Sequence, residues 1–220
     1  MGRFIAIDGL DGSGKSTQYE MLVSYLESRG VRVRRLKFPV YESDSSTLVR
    51  MYLSGALGSA DSTNAYAASM FFAADRYVSY VSDWRADYSD PGTVIVADRY
   101  TTANLIHQLS KLPRETWQDF SDWLYDFEFS KLTLPRPDLV IYLENTPQLA
   151  RTMIDVRGHE RDVHERDESF MMRCHEAGRW ASETFGWHTV CVADGDSMRP
   201  RDDIFSEIKR AVCGMLDMEV

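Results

Sequence analysis

The chain has 220 residues, 44% of them hydrophobic, which is enough core for one large domain or two small ones. Its 34 acidic and 25 basic residues leave a net charge of -9, which argues against a nucleic-acid polymer as partner, since that needs a broad basic face, but not against a nucleotide, which needs only a local cluster. No apolar run approaches membrane-spanning length, no signal-peptide pattern is visible, and Cys174, Cys191 and Cys213 show no metal-ligand spacing, so buried thiols and a soluble cytoplasmic protein are expected.

Arg3 to Asp8 (RFIAID) reads as a short buried strand and runs into Gly9-Leu10-Asp11-Gly12-Ser13-Gly14-Lys15-Ser16. That stretch fits the phosphate-loop pattern, Gly, four residues, Gly-Lys-Ser/Thr, at every fixed position. Its glycines lack a Cβ, so the backbone can bend tightly and bring N–H groups against phosphate oxygens. Lys15 carries a compact charge suited to β- and γ-phosphates, and the Ser16 hydroxyl can ligate Mg²⁺. Ser16 to Arg29 then reads as a helix, with Met21, Leu22, Tyr25 and Leu26 on one apolar face and Gly30 as its stop. Its positive dipole end faces the loop. Strand, glycine loop and helix in that order is the context the motif requires; the alternative is an ordinary glycine turn.

Val31 to Phe38 (VRVRRLKF) alternates apolar and basic as a strand does, and Pro39 ends it. Tyr41 to Ser46 is a polar loop, and Ser46 to Leu53 a short helix stopped by Gly55. Ala60 to Trp84 predicts a long helical stretch with Tyr66, Met70, Phe71, Tyr77, Val78 and Val81 as its apolar positions. Thr93 to Ala97 (TVIVA) is a continuous apolar strand ending in Asp98-Arg99-Tyr100. Thr102 to Leu109 and Arg114 to Phe129 read as helices, the second with Trp117, Phe120, Trp123 and Leu124 on one side. Leu139 to Leu143 is a fourth strand, Pro147 opens a helix to about Arg157, and a charged segment runs on to Asp167. Helix from about Glu168 to Phe185, strand from Thr189 to Ala193 and helix from about Asp202 to Leu216 follow. Apolar strands alternating with helices predict one α/β domain over 1–220, a three-layer α/β/α arrangement with five parallel strands covered on both faces.

Asp98 ends an apolar strand, where a phosphate-loop protein keeps its second carboxylate and where ligands of such folds gather. It can hold Mg²⁺ opposite Ser16, and Arg99 beside it can reach a second phosphate; a local ion pair is the plainer alternative. In these motifs the chain resembles thymidylate kinases. The likeness rests on IDGLDGSGKST over 7–17, Phe38-Pro39 after the second strand, Phe72-Ala73-Ala74-Asp75-Arg76 for a Phe-x-x-x-Arg element, and DRYTTANLIHQ over 98–108 for the DRYxxSxxAYQ signature. The resemblance implies a P-loop kinase fold with a small lid over about 157–167, ATP as phosphoryl donor with Mg²⁺, dTMP as acceptor, and a homodimer joined through helices.

It also implies roles for residues. Gly9, Asp11, Gly12, Ser13, Gly14, Lys15, Ser16 and Thr17 would hold ATP, with Ser16 and Asp98 on the metal. Asp11 would bind the acceptor's 3′-hydroxyl, Phe72 would stack on thymine and Arg76 would donate to its O4. Asn104 and Gln108 would meet the base edge, Phe38 would contact the substrate, and Arg99 and Tyr41 would grip the acceptor phosphate. Arg157, Arg161 and Arg166 would close on the transferring group together with Lys15 and Arg99.

The chain departs from the signature at Ala103, Ile106 and His107, which stand for Ser, Ala and Tyr. That Tyr lies near the sugar 2′ position in the family, so His107 either lines the sugar or is a satisfied core histidine. Gly12 stands where some members carry an arginine, which leaves the charge to the lid. By themselves, Phe72 would read as core and Arg76 as a surface charge. Two rival functions are a kinase of another nucleoside monophosphate or nucleoside, and a nucleotide-dependent switch, although no Asn-Lys-x-Asp guanine-reading element is present.

Overall fold

The structure is a computed structural model and describes residues 1–157 and 168–219. Strand β1 (Arg3–Gly9) is buried at every position after Arg3 and leads through the glycine loop into helix α1 (Lys15–Ser28). Gly14 caps α1 at φ 83, a left-handed conformation that costs glycine little. Strand β2 (Arg32–Lys37) and the short helix α2 (Thr47–Leu53) follow. Helix α3 (Ala65–Ser79) starts where the Asn64 side chain accepts from the amides of Tyr66 and Ala67, a helix cap that closes two unpaired donors.

The expected long helix over 60–84 is therefore shorter at its start, and it does not continue as α-helix to its end. A π-helical turn, Tyr80–Trp84, intervenes before helix α4 (Arg85–Ser89). The wider turn changes which residues face inward. Trp84 is fully buried, its ring 5.7 Å from that of Phe4, whereas Val81 is 43% exposed. The other apolar positions read for this stretch also lie outward: Tyr66, Met70, Tyr77 and Val78 are exposed, and Phe71 is half-buried.

Strand β3 (Thr93–Asp98) is buried throughout and feeds helix α5 (Thr102–Leu109), itself buried at every position but Ala103. The predicted helix 114–129 divides into a 3₁₀ turn at Arg114–Thr116, helix α6 (Trp117–Tyr125) and a second π-helical turn, Asp126–Lys131. Strand β4 (Leu139–Glu144), helix α7 (Pro147–Arg157), helix α8 (Glu168–Phe185) and strand β5 (His188–Cys191) come next. A tight hairpin of β6 (Ala193–Asp194) and β7 (Ser197–Met198), too short to leave a pattern in sequence, precedes helix α9 (Arg201–Leu216). Cys174 and Cys213 are buried as expected, but Cys191, near the sheet edge, is exposed.

The large sheet is parallel, in the order β2-β3-β1-β4-β5. Successive residues of β1 point to opposite faces. Ile5 and Ile7 pack with Leu22 and Leu26 of α1 and Ile204 and Ile208 of α9, while Phe4 and Ala6 pack with Trp84, Ile95 and Tyr100. A third cluster joins α5, α6 and α8 around Leu105, Phe120 and Phe170. The sheet is thus covered on both sides, and β1, which carries the glycine loop, lies in its middle.

Candidate active site

The loop after β1 and the turn after β3 are neighbours because the two strands pair in parallel, with Ile7 opposite Asp98. This brings the Ser16 hydroxyl to 3.2 Å from the Asp98 carboxylate, and Lys37, opposite Asp98 on β2, to 4.0 Å. Two hard oxygen donors side by side at a loop that can take phosphates are a donor set suited to Mg²⁺, which usually takes few protein ligands and completes its shell with phosphate and water. No cluster of three or more His, Cys, Asp or Glu exists among the described residues.

Lys15 is buried, and its Nζ donates to the Leu10 carbonyl at 2.7 Å and lies 3.8 Å from Asp11. Burial and the positive Arg99 nearby pull its pKa down to about 8. Gly12 has φ 78, and a Cβ there would meet the Ala150 carbonyl oxygen of α7 at 2.3 Å. The loop tip is thus pressed against α7, and the Asn145 amide fastens it further by donating to the Gly12 carbonyl at 3.2 Å. Gly9 and Ser13 lie behind the loop. A Cβ on Gly9 would meet the Leu143 carbonyl at 2.6 Å, and the Ser13 amide closes the loop onto Leu10.

Arg99 adopts φ 69, a conformation that costs a non-glycine residue about 1 kcal/mol or more and recurs at functional sites. Its amide bonds to the Ile7 carbonyl and its guanidinium ion-pairs with Asp11. Burial opposes its charge, but Asp11, Asp8 and Asp98 together hold its pKa above the ordinary arginine value. Arg99 Nη1 also lies 3.3 Å from His107 Nε2. Because a guanidinium only donates, His107 accepts here, and its Nδ1 faces the Cys174 sulfur at 3.6 Å. His107 is therefore tied both to the site and to the core beneath it. Asp8 is fully buried, accepts from Thr102 Oγ1 at 2.6 Å, and has its pKa raised by that burial.

A cavity of about 530 Å³ extends from this loop. Asp11, Gly12, Gly14, Lys15, Ser16 and Thr17 form one wall, with Asp98 and Arg99 beside them. Phe38, Tyr41 and Phe72 supply aromatic surface, and Arg76, Asn104, His107 and Gln108 the polar surface. Phe72 is half-buried and meets Tyr52 edge-on at 6.1 Å, so it is not a core residue; Phe38 is nearly buried and packs 5.8 Å from Tyr100. Gln108 is fully buried, and among the described residues neither its Oε1 nor its Nε2 finds a partner. Buried polar atoms are rarely left so, and an unmet amide at a cavity wall is what a ligand-reading side chain looks like without its ligand.

Residues 7–194 match the family model for thymidylate kinase. The chain belongs to the thymidylate kinase family. It is 31% identical over 177 residues to the thymidylate kinase of Mycobacterium tuberculosis, an alignment covering 77% of this chain and 80% of that protein. It is 27% identical over 212 residues to that of Plasmodium falciparum, covering 96% and 90%. Its fold matches the solved structure of the Candida albicans thymidylate kinase with a TM-score of 0.74 at 20% identity, over 99% of this chain and 94% of the other.

In this thymidylate kinase fold the expected loop and acceptor residues line one cavity, Arg76 among them, with Gly9 and Ser13 behind the loop. Arg76, which alone reads as a surface charge, is 2% exposed and grips Glu128, with Nε to Oε2 at 2.8 Å and Nη2 to Oε1 at 2.5 Å. Arg157 is the last residue of α7, and the expected positions Arg161 and Arg166 lie outside the described residues.

Sequence reasoning missed the buried acids. Asp75 accepts from Ser45 and Ser46 at 2.7 and 2.6 Å and from the Val40 amide at 2.8 Å, so it ties the loop carrying Tyr41 to α3. Glu128 lies in the second π-helical turn, a device that often marks functional positions. Asp75 sits inside the Phe-x-x-x-Arg element, which was a usable signal; Glu128 left none, because in sequence it is one acid among many. Lys37, Leu53, Tyr100 and Met153 also line the cavity.

Proposed function

We propose that this chain transfers the γ-phosphoryl group of ATP to dTMP, giving dTDP and ADP. The observation that carries the reading is that one continuous cavity joins a phosphate loop to a wall of Phe72, Arg76, Asn104 and Gln108, with Arg99 between them. A donor triphosphate at Lys15 and an acceptor base at Phe72 would bring two anions face to face beside Arg99.

Phosphoryl transfer asks mainly for positioning and charge neutralisation, and no covalent intermediate is needed. Lys15 and the loop amides hold the β- and γ-phosphates. Proximity to phosphate favours the ammonium form of Lys15, whose pKa burial has lowered to about 8. Arg99 takes the acceptor phosphate, exchanging part of its pairing with Asp11 for that of the substrate, and Asp11 is left to face the sugar hydroxyl. Ser16 and Asp98 would hold Mg²⁺, which would supply positive charge between the phosphates. Arg157, Arg161 and Arg166 are proposed to complete the charge at the transfer point from a lid over 157–167.

The outer face of α3 suggests the assembly. Tyr66, Met70, Tyr77 and Val78 recur at helical spacing along it and are exposed, and an apolar stripe of this kind commonly marks an interface. We assign it to a homodimer of a cytoplasmic enzyme; among the described residues no helix is long and apolar enough to cross a membrane.

The test is ADP release measured over a panel of nucleoside monophosphates. The expected result is the highest kcat/KM with dTMP and negligible turnover with ATP alone. Preference for another acceptor, or rapid hydrolysis without one, would overturn the assignment.

A further inference from the structure

Glu128 is fully buried, and each of its carboxylate oxygens accepts two hydrogen bonds. Oε1 takes Arg76 Nη2 at 2.5 Å and Asn104 Nδ2 at 3.3 Å; Oε2 takes Arg76 Nε at 2.8 Å and Thr101 Oγ1 at 2.6 Å. A carboxylate has about four lone-pair sites, so this one is saturated and offers nothing to a ligand. Its effect on the cavity is indirect. Arg76 can present only N–H groups there. Asn104 Nδ2 is committed to Glu128 and, at 3.4 Å, to the Ser69 carbonyl, so what Asn104 has left for the cavity it lines is its carbonyl oxygen.

We infer that Glu128 is a positioning residue that decides which class of pyrimidine the cavity accepts. By holding Arg76 as donor and turning the Asn104 amide oxygen outward, it imposes a donor-then-acceptor pattern. That pattern complements a base with a carbonyl at position 4 and a hydrogen on N3, as in thymine and uracil. It opposes a base with an amino group at position 4 and a bare N3, as in cytosine, where donor meets donor and acceptor meets acceptor. The inference rests on reading Arg76 and Asn104 as base-facing residues. It goes beyond that reading in placing the selection on an acid that never touches the substrate.

The experiment is steady-state kinetics of the full-length enzyme at saturating ATP with dTMP, dUMP and dCMP. Glu128→Gln replaces one acceptor oxygen with a donor, so Arg76 and Asn104 cannot both stay as they are. The expected result is a fall of about 10–100-fold in the dTMP-to-dCMP ratio of kcat/KM, carried mainly by KM, because sites built on hydrogen bonds lose discrimination when a partner is misset. The dTMP-to-dUMP ratio stays within about threefold, since both bases share the 4-oxo, 3-NH edge; general structural damage would depress all three substrates alike. Glu128→Gln leaves the Arg76 charge buried without its counter-ion and can impair folding. Glu128→Asp keeps the charge but shortens the reach by one methylene, and a loss of the same sign, about threefold to tenfold, is expected. An unchanged dTMP-to-dCMP ratio in a folded variant of either kind overturns the proposal. The double variant Arg76→Met with Glu128→Met separates the two levels. A normal dTMP KM there would sink the base-facing reading itself, whereas a raised KM there alongside unaltered Glu128 single variants would sink only the role of Glu128.

Discussion

Helices α1 and α3 bury opposite kinds of residue. α1 turns Leu22, Val23 and Leu26 onto the sheet and contributes chemistry only from its first turn, through Lys15 and Ser16. α3 buries Ser69, Asp75 and Arg76 among the small side chains of Ala65, Ala68 and Ala73, and leaves its large apolar side chains Met70, Tyr77 and Val78 outside. An inward apolar stripe marks a helix that holds the fold together. An inward polar stripe with an apolar exterior marks one that lines a site on one side and meets another surface on the other. In the first helix stability and function are separated along its length; in the second they are separated around its circumference.

The contrast can be broken most sharply at Lys15. Lys15→Ala should lower kcat by about 10²–10³-fold or more while the melting temperature stays close to that of the parent, because the first turn of α1 serves the phosphates and not the core. Near-normal turnover would remove the basis for the whole reading. Deeper in the same helix, Leu22→Ala should cost about 2–5 kcal/mol in denaturant unfolding and leave the KM for dTMP alone. For α3 the expectation reverses. The double variant Arg76→Met with Glu128→Met exchanges a buried ion pair for apolar packing but leaves Thr101 and Asn104 each short of one acceptor, so stability should fall by no more than about 1–3 kcal/mol while the dTMP KM rises at least about tenfold. A large loss of stability there would show that the inner face of α3 is structural after all.

Two smaller effects sharpen the picture. Val78→Glu on the outer face of α3 should shift sedimentation at micromolar concentration from dimer to monomer with little change in far-ultraviolet circular dichroism. A parent protein that is itself monomeric under those conditions would remove the interface. For Lys15, the free pKa of about 8 means that the amine is increasingly neutral above that pH, whereas the phosphate-bound form favours the ammonium. ATP binding should therefore take up protons around pH 8 to 9, and affinity should weaken as pH rises through that range, by at most about tenfold per pH unit. Calorimetry in buffers of different ionisation enthalpy measures the proton uptake directly; none at pH 8.5 would contradict it.

What could be read from the residues follows the range over which each signal acts. The glycine loop, Asp98 and the parallel sheet were legible because spacing within a few residues, or a run of apolar side chains, dictates them. The circumference of α3 was not. Tyr66, Met70 and Tyr77 carry the periodicity of a core face, and only the packing of the whole fold reveals that the face is outside. The π-helical turns shift the register by one residue, so Trp84 and Glu128 point inward where a regular helix would turn them elsewhere. The partnership of Glu128 with Arg76 spans 52 residues of chain, and no local pattern announces it.

The closeness of Gly12 to Ala150 bears on how this loop can be changed. An arginine at position 12 cannot be accommodated by changing that residue alone, because even its first carbon would collide with the main chain of α7. Acquiring one demands a coordinated retreat of that helix. A designer wishing to place an arginine at position 12 must redesign α7 in the same step.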